Sequence, residues 1–287
     1  MLRPITLRAK HGNGMMRRLI YLLQVVLIMS LSTQVLGQNV SITAHRGASG
    51  YAPENTLASV KKALEIGVER IEIDVQQTAD GVVVLLHDKT LNRTTNSTGK
   101  VGKLNWNELK DIKANVGFED EFQTEAIPTL EDVFELLDGS TEFVIEIKAG
   151  NKTYPGIEDN VAKLIKKYKA EKWALVHSFN DKVLKYLHKH HPEIRLQKLF
   201  VSYSGGIMLD FKLHAVKLSK YDYVEAFGIS LSSANKKLVD KIHALDKLVH
   251  IWTVNKEDDM QRLIAIGVDG LISNYPDKAK STLNNTK

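Results

Sequence analysis

From residue 40 onward, short apolar and β-branched segments alternate with longer segments whose apolar residues recur every three or four positions. The first kind predicts buried strands, and the second predicts amphipathic helices. Regular alternation of the two indicates a parallel sheet covered by helices. Eight strands are predicted: Ser41–His45, Arg70–Gln76, Glu142–Lys148, Trp173–Ser178, Ile194–Phe200, Val224–Ser230, Leu248–Val254 and Gly270–Ser273.

Helical periodicity fills most of the intervals between these strands, although the interval around Gly205 to Tyr221 is less regular. Eight βα units in about 250 residues favour an α/β fold closed into a (β/α)8 TIM barrel. An open doubly wound sheet is the rival, but no glycine-rich phosphate loop follows the first strand. The predicted helices are Thr56–Ile66, Leu130–Leu137, Ile157–Tyr168, Lys182–His190, Ala234–Ala244 and Lys256–Ile266.

One stretch, between His87 and Pro128, contains no clean βα unit. A turn at residues 78–81 leads into Val82–Leu86, which predicts a hairpin strand. We expect residues 88–128 to be a small insertion after the second barrel strand, on the face of the barrel that carries the site. The predicted organisation is therefore one domain, residues 40–280, with this insertion.

Residues 1–37 are predicted to be a signal peptide. Arg17 and Arg18 precede a short apolar run, Leu19 to Leu31, and small or modest residues precede Gln38. The alternative is an N-terminal membrane anchor, but a spanning helix needs roughly 20 apolar residues. The chain has no cysteine, which excludes a lipid-modified cysteine and a disulfide framework. We therefore expect an exported bacterial protein, periplasmic or secreted.

The formal charge of +5 belongs to this leader. Five of the 39 basic residues and none of the 34 acidic residues lie in residues 1–37, so the remainder is balanced. A domain without basic excess has no field to attract nucleic acid, and none is expected as a partner. A membrane surface is a possible partner but not a required one, and the sequence indicates no oligomeric state.

Three carboxylates stand within apolar strands. Glu72 and Asp74 are two residues apart, so both side chains point to the same face of a strand. Buried together they would repel each other unless a cation lay between them. Glu146 poses the same problem on the next barrel strand. Hard oxygen donors favour Ca²⁺ or Mg²⁺, while the alternative is a buried ion network with Arg46, Lys148 or Arg70.

Two histidines lie at strand ends close to these acids. His45 ends the first strand, and His87 follows the hairpin strand. Two histidines, an arginine and a divalent cation suit phosphoryl transfer at a diester. One histidine would remove a proton from the attacking oxygen while the other protonates the leaving group. Arg46 would hold a phosphoryl oxygen.

Four further residues can each be interpreted in two ways. Lys148 adds positive charge at the phosphate or pairs with a ligating acid. Trp252 packs over the apolar part of the substrate or fills the top of the barrel. Glu54 reaches the site or stays outside it. His177 is expected to have a supporting or structural role.

Two helix starts raise similar alternatives. Asn55 or Thr56 is expected to cap the first helix, because both residue types accept hydrogen bonds from free N–H groups there. Asn255 lies at the top of the seventh strand or caps the helix that follows.

Seven motifs occur in one order along the chain: HRGASGYAPENT at 45–56, EIDV at 72–75, DGVVVLLHD at 80–88, NRTT at 92–95, EIK at 146–148, WTVN at 252–255 and GVDGLISNYP at 267–276. Together they resemble the glycerophosphodiester phosphodiesterase family over nearly the whole chain after the leader. The resemblance implies a (β/α)8 barrel with a small insertion after its second strand. It also implies hydrolysis of a small-molecule glycerophosphodiester, such as glycerophosphocholine or glycerophosphoethanolamine, to sn-glycerol 3-phosphate and an alcohol.

In that family the glycerol 2-hydroxyl attacks phosphorus, and water then opens a cyclic phosphate. The resemblance implies that Glu54 lies near the metal. It also assigns the other site residues: His45 and His87 as the acid–base pair, Glu72, Asp74 and Glu146 as ligands of Ca²⁺ or Mg²⁺, and Arg46 and Lys148 at the phosphate.

Three other functions compete. A phospholipase D-like enzyme acting on lysophospholipids would need an apolar patch near the barrel mouth, for which Ile207, Met208, Leu209 and Phe211 are the candidates. A glycosidase would need only two acids and would leave both histidines without a role. A non-catalytic binder would lack a catalytic residue, and no motif residue is lost.

Overall fold

Eight parallel strands form a closed barrel, and a ninth strand pairs antiparallel with one of them. The computed structural model describes residues 40–118, 120–200 and 216–286. Its strands are β1 (Ser41–His45), β2 (Arg70–Gln77), β3 (Val83–Leu85), β4 (Glu142–Ile147), β5 (Ala174–Ser178), β6 (Arg195–Phe200), β7 (Ala226–Ser230), β8 (Leu248–Trp252) and β9 (Gly270–Ser273).

Strand β1 closes the barrel, because it pairs in parallel with both β2 and β9. This confirms the predicted barrel and rules out the open sheet. The helices are α1 (Leu57–Ile66), α2 (Trp106–Leu109), α3 (Leu130–Leu137), α4 (Ile157–Lys167), α5 (Asp181–His190), α6 (Lys236–His243), α7 (Glu257–Ala265) and α8 (Pro276–Thr286), with 3₁₀ turns at Val101–Lys103, Leu218–Tyr221 and Leu231–Ser233.

The register of the parallel strands aligns the polar strand-end residues. His45 lies opposite Glu72, and Asp74 lies opposite Glu146. Glu146 in turn lies opposite His177 on β5. Residues paired across parallel strands point to the same face, so the register brings these side chains together at the carboxyl end of the barrel.

Local signals explain where several elements begin and end. The Thr56 hydroxyl accepts the Ser59 N–H at 3.2 Å and caps α1, and Gly67, with φ of 72°, is the C-cap. Helix α6 begins at Lys236 rather than at the predicted Ala234, because Asn235 caps it through the Leu238 N–H. The other predicted strands and helices start and stop within a few residues of their predicted bounds, whereas helices α2 and α8 were not predicted.

The main core lies between the barrel strands and the surrounding helices, and its buried apolar residues are at most 8% exposed. Phe134 of α3, for example, packs edge-to-face on Phe143 of β4 with ring centroids 5.2 Å apart. Such burial of apolar area supplies most of the driving force for closing the barrel.

The irregular segment after β3 has a small apolar cluster of its own. Strand β3 pairs with the end of β2, and the segment then continues through a 3₁₀ turn and the four-residue helix α2. Because the cluster includes Val84 of β3, the segment is packed against that strand, which is itself hydrogen-bonded to β2. The cluster comprises Val84, Leu86, Leu91, Val101, Leu109, Ala114 and Ile127.

Two predicted features lie outside the described residues: the signal peptide at 1–37 and the apolar loop containing residues 207–211. Within the described ranges, no helix combines the length and the apolar character needed to cross a membrane.

Candidate active site

A cavity of about 410 Å³ opens at the carboxyl end of the barrel strands. In barrels of this kind the loops at that end carry the catalytic groups. The eight predicted site residues are the acid–base pair, the three metal ligands, Arg46, Lys148 and Trp252. Seven of them line the cavity, and the eighth, Asp74, is buried against two of these, Arg46 and Lys148. The lining consists of His45, Arg46, Glu72, His87, Glu146, Lys148, His177, Phe179, Leu199, Trp252, Thr253 and Ile272.

Glu72, Glu146 and His177 form the candidate metal centre. One ligand atom from each lies within 4.8 Å of the others, and all three residues are buried. Glu72 Oε1 and His177 Nε2 are 3.4 Å apart. Among the described residues, neither ring nitrogen of His177 has a hydrogen-bond partner, whereas Glu146 Oε1 is paired with Lys148 Nζ at 2.9 Å. Buried polar atoms without partners are costly, so this donor set fits a divalent cation.

His177 was expected only to support the site. Its sequence signal was weak, because a single histidine at a strand end is common in structural roles. The strand register sets His177 opposite Glu146, and this pairing places His177 in the cluster.

The electrostatics of Glu146 also favour a cation. Burial raises the pKa of the Glu146 carboxyl, and the neighbouring negative charge of Asp74 raises it further. Lys148, whose Nζ lies 2.9 Å from Glu146 Oε1, opposes this shift. A second positive charge at the carboxylates would relieve the remaining repulsion.

Asp74 lies in a buried ion network. Its carboxylate is 3.3 Å from Arg46 Nε and 3.3 Å from Lys148 Nζ, and it accepts a hydrogen bond from Asn55 Nδ2 at 2.9 Å. Burial alone would raise the pKa of Asp74, but Lys148 and Arg46 outweigh it and hold the pKa well below its usual range. The ion-network alternative therefore describes the contacts of Asp74, and its role as a metal ligand stays a prediction.

Asn55 is held in place by the same carboxylate. It accepts the Asp74 backbone N–H at 2.9 Å through its own side-chain oxygen. Its backbone has φ of 57°, a conformation that asparagine tolerates better than most residues. Asn55 is therefore not the cap of α1, which is Thr56.

His45 is oriented through Asn274. His45 Nδ1 lies 2.7 Å from Asn274 Oδ1, so this nitrogen carries the proton and Nε2 remains for proton exchange. The Asn274 N–H donates to Asn255 Oδ1 at 3.0 Å, whereas Lys256 occupies the N-cap of α7. Desolvation lowers the pKa of His45, Glu72 opposes the shift and Arg46 adds to it.

His87 is oriented through Asp88. His87 Nδ1 lies 2.7 Å from Asp88 Oδ1, and the other carboxylate oxygen accepts from Arg93 Nε at 2.8 Å. The hydrogen bond from Arg93 is the main reason why the pKa of Asp88 falls to about 2. The carboxylate is therefore charged at neutral pH and fixes the ring through Nδ1.

Arg46 and Glu54 link the two sides of the cavity. The Arg46 backbone N–H donates to Glu72 Oε2 at 2.9 Å, and its guanidinium donates to Glu54 Oε1 at 2.9 Å. Arg93 donates two further bonds to Glu54. Glu54 thus reaches the site through the arginines, although it does not line the cavity.

Aromatic side chains form the apolar wall. Trp252 meets Phe179 edge-to-face, with ring centroids 5.4 Å apart and an interplanar angle of 79°. The indole Nε1 is buried without a hydrogen-bond partner among the described residues. Lys148 Nζ lies 6.0 Å from the centroid of the Phe179 ring. The wall therefore offers apolar area beside the charged groups.

Comparison with known proteins gives one consistent result. The model of the glycerophosphoryl diester phosphodiesterase family matches residues 45–278. A glycerophosphodiester phosphodiesterase from Caldanaerobacter subterraneus subsp. tengcongensis is 38% identical over 238 residues, which is 82% of this chain and 94% of that protein. One from Bacillus altitudinis is 36% identical over 240 residues, covering 83% and 96%.

Solved structures agree. A phosphodiesterase from Oleispira antarctica, in complex with the product sn-glycerol-3-phosphate, has a TM-score of 0.73 and 30% identity, and the match covers 85% of this chain and 96% of that one. A glycerophosphodiester phosphodiesterase from Agrobacterium tumefaciens has a TM-score of 0.72 and 26% identity, covering 84% and 99%.

Proposed function

The chain belongs to the glycerophosphoryl diester phosphodiesterase family, and from this premise we propose that it hydrolyses glycerophosphodiesters to sn-glycerol 3-phosphate and an alcohol. The proposal includes dependence on Ca²⁺ or Mg²⁺ and acid–base catalysis by His45 and His87. The observation that carries it is the single cavity in which both histidines, Arg46 and the Glu72–Glu146–His177 cluster meet.

Arg46 and Lys148 would bind the phosphoryl oxygens. Burial disfavours charge on both, but neighbouring carboxylates outweigh it and raise the pKa of each, so both stay positively charged. Fixed positive groups in a partly desolvated cavity stabilise the charge that develops on phosphorus-bound oxygen. The apolar wall of Trp252 and Phe179 would contact the carbon atoms of the substrate.

Glu72, Glu146 and His177 would hold the cation, with Asp74 as the further ligand that the sequence predicts. When bound, Ca²⁺ or Mg²⁺ would neutralise a non-bridging phosphoryl oxygen and make a nearby hydroxyl more acidic. The hard oxygen donors suit either ion.

His45 would act as the base, because its lowered pKa keeps Nε2 unprotonated at neutral pH. It would take the proton of the glycerol 2-hydroxyl while that oxygen forms its bond to phosphorus. His87 would give a proton to the alcohol oxygen as the bond from phosphorus to that oxygen breaks. Water would then open the cyclic phosphate, with the proton transfers reversed.

The direct test is release of glycerol 3-phosphate from glycerophosphocholine by protein beginning at Gln38. We expect activity to be lost with a chelator and restored by Ca²⁺ or Mg²⁺. Glu72→Ala should remove activity and metal binding together, whereas His87→Ala should stop turnover and leave the metal bound. Hydrolysis that persists in both variants would overturn the proposal.

A second candidate function is hydrolysis of lysophospholipids. The human protein named Lysophospholipase D GDPD1 is 27% identical over 274 residues, covering 84% of this chain and 85% of that protein. Lysophosphatidylcholine is the substrate that distinguishes lysophospholipid hydrolysis from glycerophosphodiester hydrolysis. Choline release from it, without activity on glycerophosphocholine, would favour this function over the first.

Export through a signal peptide at residues 1–37 also belongs to the proposal, supported by the charged and apolar order of that segment. N-terminal sequencing of the protein from bacterial cells should find a first residue at or near Gln38. Recovery of the uncut chain in the membrane fraction would instead support the anchor.

A further inference from the structure

A second cleft lies beside the catalytic cavity and shares Lys148 with it. It has about 1170 Å³ of empty volume. One wall is the loop after β4, residues 148–153, and the other is the start of α5 with Asn180, Lys182 and Tyr186. Both segments follow barrel strands, so the cleft lies at the same end of the barrel as the catalytic groups.

Three exposed lysines line this cleft in addition to Lys148: Lys89, Lys152 and Lys182. None of the three forms an ion pair within the described ranges of the chain. Unpaired surface lysines are usually spread over a protein, but these three surround one concavity. We call the concavity with these four lysines the lysine cleft.

The acids near the lysine cleft are already engaged. Glu158 is the acidic residue among the described lining, and it is buried, with Oε1 accepting the Asn151 N–H at 3.0 Å. Asp159 binds the Tyr186 hydroxyl at 3.0 Å and His191 at 2.8 Å. The described lining carries four lysines against one glutamate, so the cleft has a local excess of positive charge, although the chain beyond residue 37 has balanced charge.

The backbone adds to this charge. Asn180 Oδ1 accepts the Lys182 N–H at 3.0 Å and caps α5, which runs for ten residues. The amino end of a helix carries a partial positive charge. Lysine side chains and this helix end therefore act in the same direction on a ligand in the cleft.

The position of the cleft indicates what it would meet. In the proposed reaction the glycerol end must lie in the cavity, because its 2-hydroxyl has to reach His45. Lys148 stands between cavity and cleft, so a group on the far side of the reacting phosphate passes Lys148 into the lysine cleft. That group belongs to the leaving alcohol.

We propose that the lysine cleft binds a second phosphate carried by the leaving alcohol. The preferred substrates are then glycerophosphodiesters of phosphorylated alcohols rather than those of choline or ethanolamine, whose positive charge the lysines repel. This inference rests on the proposed function, because it places the reacting phosphate in the cavity.

A matched pair of substrates tests the inference: glycerophosphoinositol and glycerophosphoinositol 4-phosphate, which differ by one phosphate. We expect each exposed lysine–phosphate contact to contribute a factor of roughly two, so the three lysines together predict about a ten-fold higher kcat/KM for the phosphorylated substrate. The variant Lys89→Gln/Lys152→Gln/Lys182→Gln should bring the ratio close to one and leave glycerophosphoinositol hydrolysis unchanged.

The control removes the same charge elsewhere. Lys61, Lys172 and Lys237 are exposed and lie outside both the cavity and the cleft. The variant Lys61→Gln/Lys172→Gln/Lys237→Gln should keep the wild-type ratio. Equal kcat/KM for the two substrates in the wild type, or the same loss in both triple variants, would overturn the inference.

A binding measurement separates this inference from the proposed function. Calorimetry should show that inositol 1,4-bisphosphate binds about ten-fold more tightly than inositol 1-phosphate, and that the cleft variant loses this preference. That result without any hydrolysis would support the cleft and overturn the proposed function. Hydrolysis without a binding preference for inositol 1,4-bisphosphate would support the proposed function and overturn the inference about the cleft. If the cleft variant lost only binding to anionic lipid vesicles, the lysines would serve a membrane surface and the inference would be wrong.

Discussion

Arg93 donates two hydrogen bonds to the carboxylate of Glu54, from Nη2 to Oε1 at 2.8 Å and from Nη1 to Oε2 at 2.9 Å. The same arginine holds Asp88, and the same glutamate holds Arg46. One side chain from the irregular segment after β3 thus connects the orientation of His87 with that of the phosphate-binding arginine.

Arg93 does not line the catalytic cavity. Arg93→Gln should therefore lower kcat indirectly, by disturbing the orientation of His87 and Arg46. A displacement of about 1 Å at a reacting group costs about 100-fold in rate, and we expect a loss of up to this size with a smaller change in KM. Steady-state kinetics on glycerophosphocholine measures both. Lys100→Gln, an exposed change in the same segment, should have no effect; a loss of equal size there would show that the segment matters only for folding.

Cation binding should stabilise the fold, because it relieves repulsion between the buried carboxylates Glu72 and Glu146. At a concentration 100-fold above the Kd, Ca²⁺ or Mg²⁺ should raise the Tm by roughly 5–10 °C. Glu146→Gln should raise the Tm of the metal-free protein and abolish the response. Thermal unfolding with and without a chelator is the measurement. If neither ion changes the Tm of the wild type, the result contradicts a metal centre at Glu72, Glu146 and His177.

The pH dependence of kcat/KM should reflect the lowered pKa of His45. A base with a lowered pKa remains unprotonated as the pH falls, so the acidic limb should lie below pH 6.5, its unperturbed value. A bound cation would move it in the same direction. An acidic limb above pH 6.5 would show that His45 is not the base.

Asn274→Ala should move the acidic limb of the kcat/KM profile further toward low pH. The hydrogen bond from His45 to Asn274 favours the protonated ring, so its loss lowers the pKa again. We expect kcat to fall about ten-fold, because the ring also loses the partner that fixes its tautomer. Tyr51→Phe removes a hydrogen bond of a neighbouring loop, to Asp277, and should leave the limb in place. A limb that stays fixed in Asn274→Ala would separate Asn274 from proton transfer.

Trp252 should contribute to substrate binding more than to turnover. Trp252→Ala removes a large part of the apolar wall, so KM should rise about ten-fold, as expected from the loss of well over 50 Å² of buried apolar contact. Trp252→Phe keeps the edge contact to Phe179 and should stay within about three-fold of the wild type. If both variants match the wild type, Trp252 only fills the top of the barrel.

The sequence determined the fold because strand and helix periodicities are local signals that repeat eight times. Each run of the type in β2 or β4 is buried on both faces, and only a parallel sheet covered by helices provides that burial. The motifs also placed His45, His87 and the carboxylates at strand ends, where a barrel collects them. Seven of the eight predicted site residues consequently line one cavity.

Only the tertiary structure decided which side chains touch. Asn274 lies 229 residues from the histidine it orients, and no local pattern reports a contact across the closure of the barrel. His177 joined the candidate metal centre through strand register rather than through any motif. Asp74 and Glu146 both looked like buried acids in the sequence. Their surroundings push the two pKa values in opposite directions, because Asp74 has two cationic partners and Glu146 has one.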